Sequence, residues 1–250
     1  MKTTRTTTKN NAKFIGRACI RVSKAFAIGA SILTFAAVSP FKTQAATLAS
    51  STFDNGIDGW VIDDFISGNS VIYTPTYFST EGNPGGYIQD TDRSTGGWVF
   101  KAPTKFLGDM SAAYNGILSF DSIMPLKGIE SNSDDVAITG GGYTLLFNNP
   151  NNPGVNWTSY SISLNEAAGW KVAATGLAPT QAQMLAVLSS LNDLRILGEY
   201  SNGPETVGLD NVVISSGPKS VPEPTSTLGL LALGAVGASS MLWRKKASAS

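Results

Sequence analysis

Apolar positions in this chain form one long run near each end and many short runs between them. Ala25 to Val38 is 14 residues without a charge, and Thr225 to Trp243 is 19. The middle is punctuated by Gly, Asn, Ser and Thr. Its short runs are Trp60–Ile62, Ser70–Thr74, Gly97–Phe100, Ile117–Ile123, Tyr143–Phe147, Trp157–Leu164, Leu194–Tyr200 and Leu209–Ile214. Rich in Val, Ile, Tyr, Phe and Trp, they predict an all-β sandwich or barrel. Ser159 to Leu164 alternates with period two, placing Tyr160, Ile162 and Leu164 on one face. One segment has the helical period instead. Thr180 and Gln183 fit a capping box, and Met184, Leu185, Val187, Leu188 and Leu191 follow at helical spacing. A single helix over about 181–192 is predicted, packing its stripe on one end or edge of the sandwich. Gly140-Gly141-Gly142 reads as a turn between strands, since no Lys and no helix follow to make a phosphate loop.

The two long runs sit in targeting contexts. Residues 1–24 hold seven cations and no acid, the 14-residue run is short for a bilayer span, and Pro40 and the small residues of Thr43-Gln44-Ala45-Ala46 follow it. That is the layout of a secretory signal peptide over 1–45, with an uncleaved anchor as the alternative. At the other end, the 19-residue run is close to the roughly 20 residues needed to span hydrocarbon, and Arg244, Lys245 and Lys246 follow it. A transmembrane helix over 225–243 with cytoplasmic basic residues is expected, a buried core helix being the alternative. With Val221, Pro222, Glu223 and Pro224 just before it, segment 221–250 resembles the PEP-CTERM sorting signal of exopolysaccharide-producing Gram-negative bacteria. That resemblance implies recognition by an exosortase-type enzyme, cleavage at the motif and delivery of the exported part to the cell surface.

Net charge zero conceals a segregation. The segment 46–220 carries 17 acids against 7 cations, a net of −10, and eleven of the 18 cations lie in the two ends. Such a segment repels nucleic acid and anionic headgroups and favours cations or neutral partners. Its length suits one domain able to bury a core without staples. The single cysteine, Cys19, falls in the signal peptide, and there is no histidine. Histidine-dependent triads, metal ligands and general bases are therefore excluded.

Within this segment, Phe53-Asp54-Asn55-Gly56-Ile57-Asp58-Gly59-Trp60 resembles the first strand of carbohydrate-binding jelly rolls. Asn83–Ile88, Trp98–Asp109, Tyr114–Asp121, Trp157–Tyr160, Gly169-Trp170, Gln183–Leu188, Leu194–Tyr200 and Leu209-Asp210-Asn211-Val212 resemble, in order, the laminin IV type A (laminin B) domain. The resemblance covers about 53–214. It implies an antiparallel jelly-roll sandwich of eight to ten strands in a domain spanning 46–220. The laminin-type partner modules are absent, so laminin-style matrix assembly is not carried over.

In related carbohydrate-binding jelly rolls the first and last strands lie side by side, and an acid near each serves a structural Ca²⁺. That points to Asp210, then Asp54 and Asp58, as oxygen ligands. The alternative is that Asp54 and Asp58 are turn residues and Asp210 bonds nearby backbone. Asp63-Asp64, Asp90-Thr91-Asp92 and Asp134-Asp135 are paired carboxylates of the type a glycosidase needs, but their Ser-, Gly- and Asn-bearing surroundings read as solvated loops. Most aromatics, Trp60 and Trp98 included, are expected in the core. Tyr77 and Tyr87, flanking Glu81-Gly82-Asn83-Pro84, are the candidates for stacking on sugar rings. Together these readings predict an exported, non-enzymatic surface protein without an organic cofactor. It binds glycan or exopolysaccharide, or serves as an envelope or biofilm-matrix component without a specific ligand, a polysaccharide-modifying enzyme being the third alternative. Its partners are an exosortase-type enzyme, glycan and, through 225–243, the membrane, but not nucleic acid.

Overall fold

The computed structural model describes residues 45–218 apart from 127, 128 and 132. All but the last residue of the expected signal peptide over 1–45, the apolar run 225–243 and the sorting motif lie outside the described residues. Among those described, no helix is long and apolar enough to cross a membrane.

The domain is an antiparallel jelly-roll sandwich. Strands are numbered in chain order. One sheet contains β1 (Thr47–Ser51), β4 (Thr76–Gly82), β5 (Gly85–Thr91), β7 (Ile117–Leu126), β11 (Thr158–Ser163) and β15 (Thr206–Ser215). Its order is β11-β7-β15-β5-β4, with β1 also paired to β15. The other sheet contains β2 (Val61–Ile66), β3 (Asn69–Tyr73), β6 (Trp98–Lys101), β9 (Val136–Gly140), β10 (Tyr143–Phe147), β12 (Lys171–Val172) and β13 (Leu191–Leu197). Its order is β12-β10-β9-β13-β6-β2-β3. β8 (Ile129–Glu130) and β14 (Ser201–Asn202) form a small separate ladder. The strands outnumber the eight to ten expected. β12, β8 and β14 have two residues each, and β1, β4, β5 and β9 fall outside the eight apolar runs.

Side-chain alternation explains the two layers. On β11, Tyr160 and Ile162 point inward between exposed serines, and on β6, Trp98 and Phe100 do the same. Phe53, Trp60 and Phe106 meet edge to face, with ring centroids 6.2 and 5.4 Å apart. Each fully buried apolar side chain contributes about 1.5–3 kcal/mol, so a core with Trp60, Trp98 and Trp170 all buried needs no disulfide. β15 joins the ends of the domain. Its first half pairs with β5 and its second with β1, so the first and last strands are neighbours.

The helix, α1 (Gln181–Ser189), begins at the predicted capping box: Thr180 Oγ1 accepts from Gln183 N and the Gln183 side chain accepts from Thr180 N. It is three residues shorter than expected. Ser190 leaves helical geometry, and Leu191 exchanges backbone hydrogen bonds with Gly108 and opens β13. Leu191 is buried as its apolar spacing suggested, but on a strand.

Candidate functional site

Three features meet the requirements of a site: an acidic loop, an aromatic cluster and a charged sheet face.

The acidic loop forms where β15, β7 and the β4–β5 turn converge. Asp210 on β15 is the register partner of Asp121 on β7. Asp210 is fully buried. Its Oδ2 accepts from Asn83 N at 2.6 Å and its Oδ1 from Asn211 N at 2.7 Å. Asp121 Oδ2 accepts from Asn211 Nδ2 at 2.9 Å and Asn83 Nδ2 at 3.2 Å. Asp54 reaches the same turn from the other side. A Cβ on Gly85, whose φ is +94°, would lie 2.1 Å from Asp54 Oδ1, and one on Gly82 would lie 2.8 Å from Asp210 Oδ2. Only glycines allow both carboxylates to approach this turn. Burial raises the Asp210 carboxyl to about 6; the N–H groups of Asn83 and Asn211 oppose the shift, and the charges of Asp121 and Asp54 add to it. Among the described residues, no Lys or Arg pairs with Asp54, Asp121 or Asp210.

Asp58 departs from its expected place beside Asp210. With φ 52° it turns toward Lys105, forms an ion pair with that ammonium, and accepts from Ser51 Oγ at 2.8 Å. The residue beside Asp210 is Asp121, which the sequence does not single out. Asp54 and Asp58 instead share the lining of a cavity of about 200 Å³ formed by the segment from Ser50 to Asp58. Among the described residues, no three acids are arranged to hold a metal ion.

Tyr77 and Tyr87 have different environments. Tyr77 is half-buried, and its hydroxyl donates to the Asp54 carbonyl at 3.1 Å. Tyr87 is only 8% exposed and does not form a rim. Phe78 stacks on it at 4.9 Å and Trp157 meets it edge-on at 5.3 Å, so packing occupies the ring. The half-exposed aromatics of this cluster are Phe78 and Trp157, the latter held by its Nε1 donating to the Glu81 carbonyl at 3.0 Å.

The paired carboxylates sit in settings other than the expected solvated loops. Asp63, Asp64, Asp90 and Asp135 are buried, and the first three lie on strands rather than in solvated loops. Ser94 Oγ donates to Asp64 Oδ1 at 2.8 Å, Arg93 clamps Asp90 at 3.0 Å, and Asn149 N donates to Asp135 Oδ2 at 2.5 Å. Burial raises Asp135 to about 6.

Asp63 belongs to the third feature. On the outer face of the seven-stranded sheet, register places Asp63 and Phe65 of β2, Val99 and Lys101 of β6, and Arg195 and Leu197 of β13 side by side. Lys101 Nζ lies 3.3 Å from Asp193 and 3.9 Å from Asp63. Arg195 lies 2.5 Å from Asp193 and 3.7 Å from Asp63. The Arg195 guanidinium stands over Phe65, 5.8 Å from the ring centre. Lys101 and Arg195 remain about a third exposed. The sequence carries this signal only as the every-second-residue series Asp193, Arg195, Leu197, which has meaning once its cross-strand partners are known.

Comparison with known proteins agrees with this architecture. Residues 99–227 match Laminin B (Domain IV), and the chain belongs to that family. Residues 220–246 match the PEP-CTERM protein-sorting motif, which marks an exported protein. The L4b domain of human laminin alpha-2 superposes with TM-score 0.56 at 14% identity, over 69% of this chain and 99% of that one. The family 11 carbohydrate-binding module of the Clostridium thermocellum cellulase Lic26A-Cel5E superposes with TM-score 0.43 at 14% identity, over 70% of this chain and 96% of that one. No curated protein sequence matches the chain.

Proposed function

We propose that the exported domain is a non-catalytic module that binds glycan, with exopolysaccharide the substrate class, after an exosortase-type enzyme processes the motif Val221-Pro222-Glu223-Pro224. The observation that carries this reading is the outer sheet face. Sugar rings present apolar C–H faces and rims of hydroxyls. A face with Phe65, Val99 and Leu197 interleaved with Asp63, Lys101, Asp193 and Arg195 offers partners for both. The charges balance, which suits a neutral glycan. Retention of the protein in polysaccharide-containing native gels tests the site. Arg195→Ala and Phe65→Ala should each weaken retention about tenfold or more while leaving the melting curve cooperative. Unchanged retention in both variants would reject this face.

A structural envelope or biofilm-matrix role without a specific ligand is the second reading. It is favoured by the mutual pairing of the four charges, which leaves none of them dependent on a ligand. A calcium ion in the acidic loop is proposed with either reading. Asp210 and Asp54 would hold it, with Asp121 beside them. With no three acids at ligand spacing among the described residues, most of the six to eight oxygens that Ca²⁺ takes would be carbonyls and water. Its role there would be to offset the carboxylate charges and tie the ends of the domain together.

A further inference from the structure

A second set of acids converges on Trp98, away from the outer face and the Asp210 loop. Asp64 on β2 is the register partner of Trp98 on β6. Gly198, just after β13, donates its N–H to the Trp98 carbonyl at 2.9 Å. It lies so close to the indole that a Cβ there would be 2.2 Å from the ring. This approach brings Glu199 to the cluster. Glu205, just before β15, is fixed by its carbonyl accepting from Asp92 N at 3.0 Å and by Ser201 Oγ donating to its Oε2 at 2.6 Å. Asp64, Trp98 and Glu205 are fully buried. Glu199 Oε2, Glu205 Oε1 and Asp64 Oδ2 are buried atoms without a close hydrogen-bond partner; the Trp98 indole N–H is directed at Glu205 and favours its ionised form, against the burial that raises it.

The Glu199 and Glu205 carboxyls face each other within hydrogen-bonding reach, and the charges of Asp92 and Asp64 bear on the pair. Two ionised carboxylates in that position are acceptor against acceptor. Among the described residues, no Lys or Arg pairs with either glutamate. The nearby cation, Arg93, is engaged by Asp90 and stands over the Tyr73 ring at 4.2 Å. Tyr73 brings its buried hydroxyl toward Asp64. Among the described residues no three acids are placed to share a metal, and a proton held between the two carboxyls turns one acceptor into a donor.

We infer that Glu199 and Glu205 share one proton and form a pH-sensitive clasp between the end of β13 and the start of β15. With the proton in place, Glu199 donates to Glu205, which also accepts from Ser201. When the proton is lost, the half-buried Glu199 and the buried Glu205 repel and the corner around Gly198 and Ser201 loosens. Burial first, then the charge of Glu205, raises Glu199 from its ordinary 4.5 to about 8. Burial raises Glu205 too. A carboxyl that keeps its proton longer folded than unfolded makes folding take up a proton. Stability therefore falls as pH rises from 4.5 to about 8 and levels off above that. Asp135 and Asp210 titrate near 6, which leaves the upper part of the window to the clasp. It operates whatever the outer face binds.

Urea unfolding of the intact chain as a function of pH tests this. Between about pH 6.5 and 8 the wild-type unfolding constant should rise by up to about tenfold per pH unit. In Glu199→Gln the amide supplies the donor at every pH, and the rise should largely vanish. Equal slopes in the two proteins, or a flat wild-type profile, would overturn the clasp. Hydrogen exchange of the wild type gives a second readout that needs no variant. Corrected for intrinsic rates, protection at Gly198, Tyr200 and Ser201 should fall above about pH 8 relative to Ile138. Constant relative protection would also overturn it.

Discussion

Asp210 carries two roles that a single substitution can separate. Its carboxylate satisfies the N–H groups of Asn83 and Asn211, and it is the centre of the proposed calcium loop. Asp210→Ala removes the acceptor of the exposed Asn83 N–H and the half-buried Asn211 N–H, each bond contributing about 1 kcal/mol. Its melting temperature should fall in EDTA and Ca²⁺ alike. Only the calcium role predicts that Ca²⁺ raises the wild-type melting temperature and not that of the variant. A wild-type melting curve unmoved by Ca²⁺ would reduce the loop to a hydrogen-bond hub. Asp210 was legible in Leu-Asp-Asn-Val. Asp121 was not, because nothing local in Phe120-Asp121-Ser122 indicates that β15 passes beside it. The buried acid pairs misled for the same reason. Acids are rare in strands, and the partners that admit Asp63 and Asp64 lie on β3, β6, β13 and the segment before β6.

Elements were legible in proportion to how local their causes are. The α1 start is coded within four residues, and both halves of its capping box formed. Thr180→Ala removes the bond to Gln183 N and should cost about 1 kcal/mol, read as a shift of the urea midpoint at unchanged slope. No shift would mean that docking of the buried Met184, Val187 and Leu188 alone positions the first turn. The helix end depended on distant residues, since Leu191 is drawn into β13 by Gly108 and by Gly140 on β9. β10 matched its apolar run in both bounds because a turn at Gly141-Gly142 limits it on one side. β1, β4 and β5 went unread: they are rich in Ser, Thr and Gly, and their pairing with β15 or with each other crosses up to the full length of the domain.

For the whole molecule, the separation of charge gives the most direct prediction. The exported segment 46–220 holds 17 acids and 7 cations, whereas both ends are basic. An intact chain is neutral overall, and a chain cut after the signal peptide and at Pro222-Glu223-Pro224 is strongly acidic. Loss of the ends would therefore convert a precursor with an apolar tail into a soluble, self-repelling module, suited to neutral polysaccharide and kept apart from anionic lipid and nucleic acid. Mass spectrometry of the surface or released fraction should find a chain beginning near Ala46 and ending close to the motif, migrating as a net polyanion on native gels at neutral pH. A full-length mass in that fraction, basic C-terminus included, would make the protein a permanent membrane component. The same gels would then show a neutral species, and the outer sheet face would have to recruit glycan to the membrane instead of travelling with it.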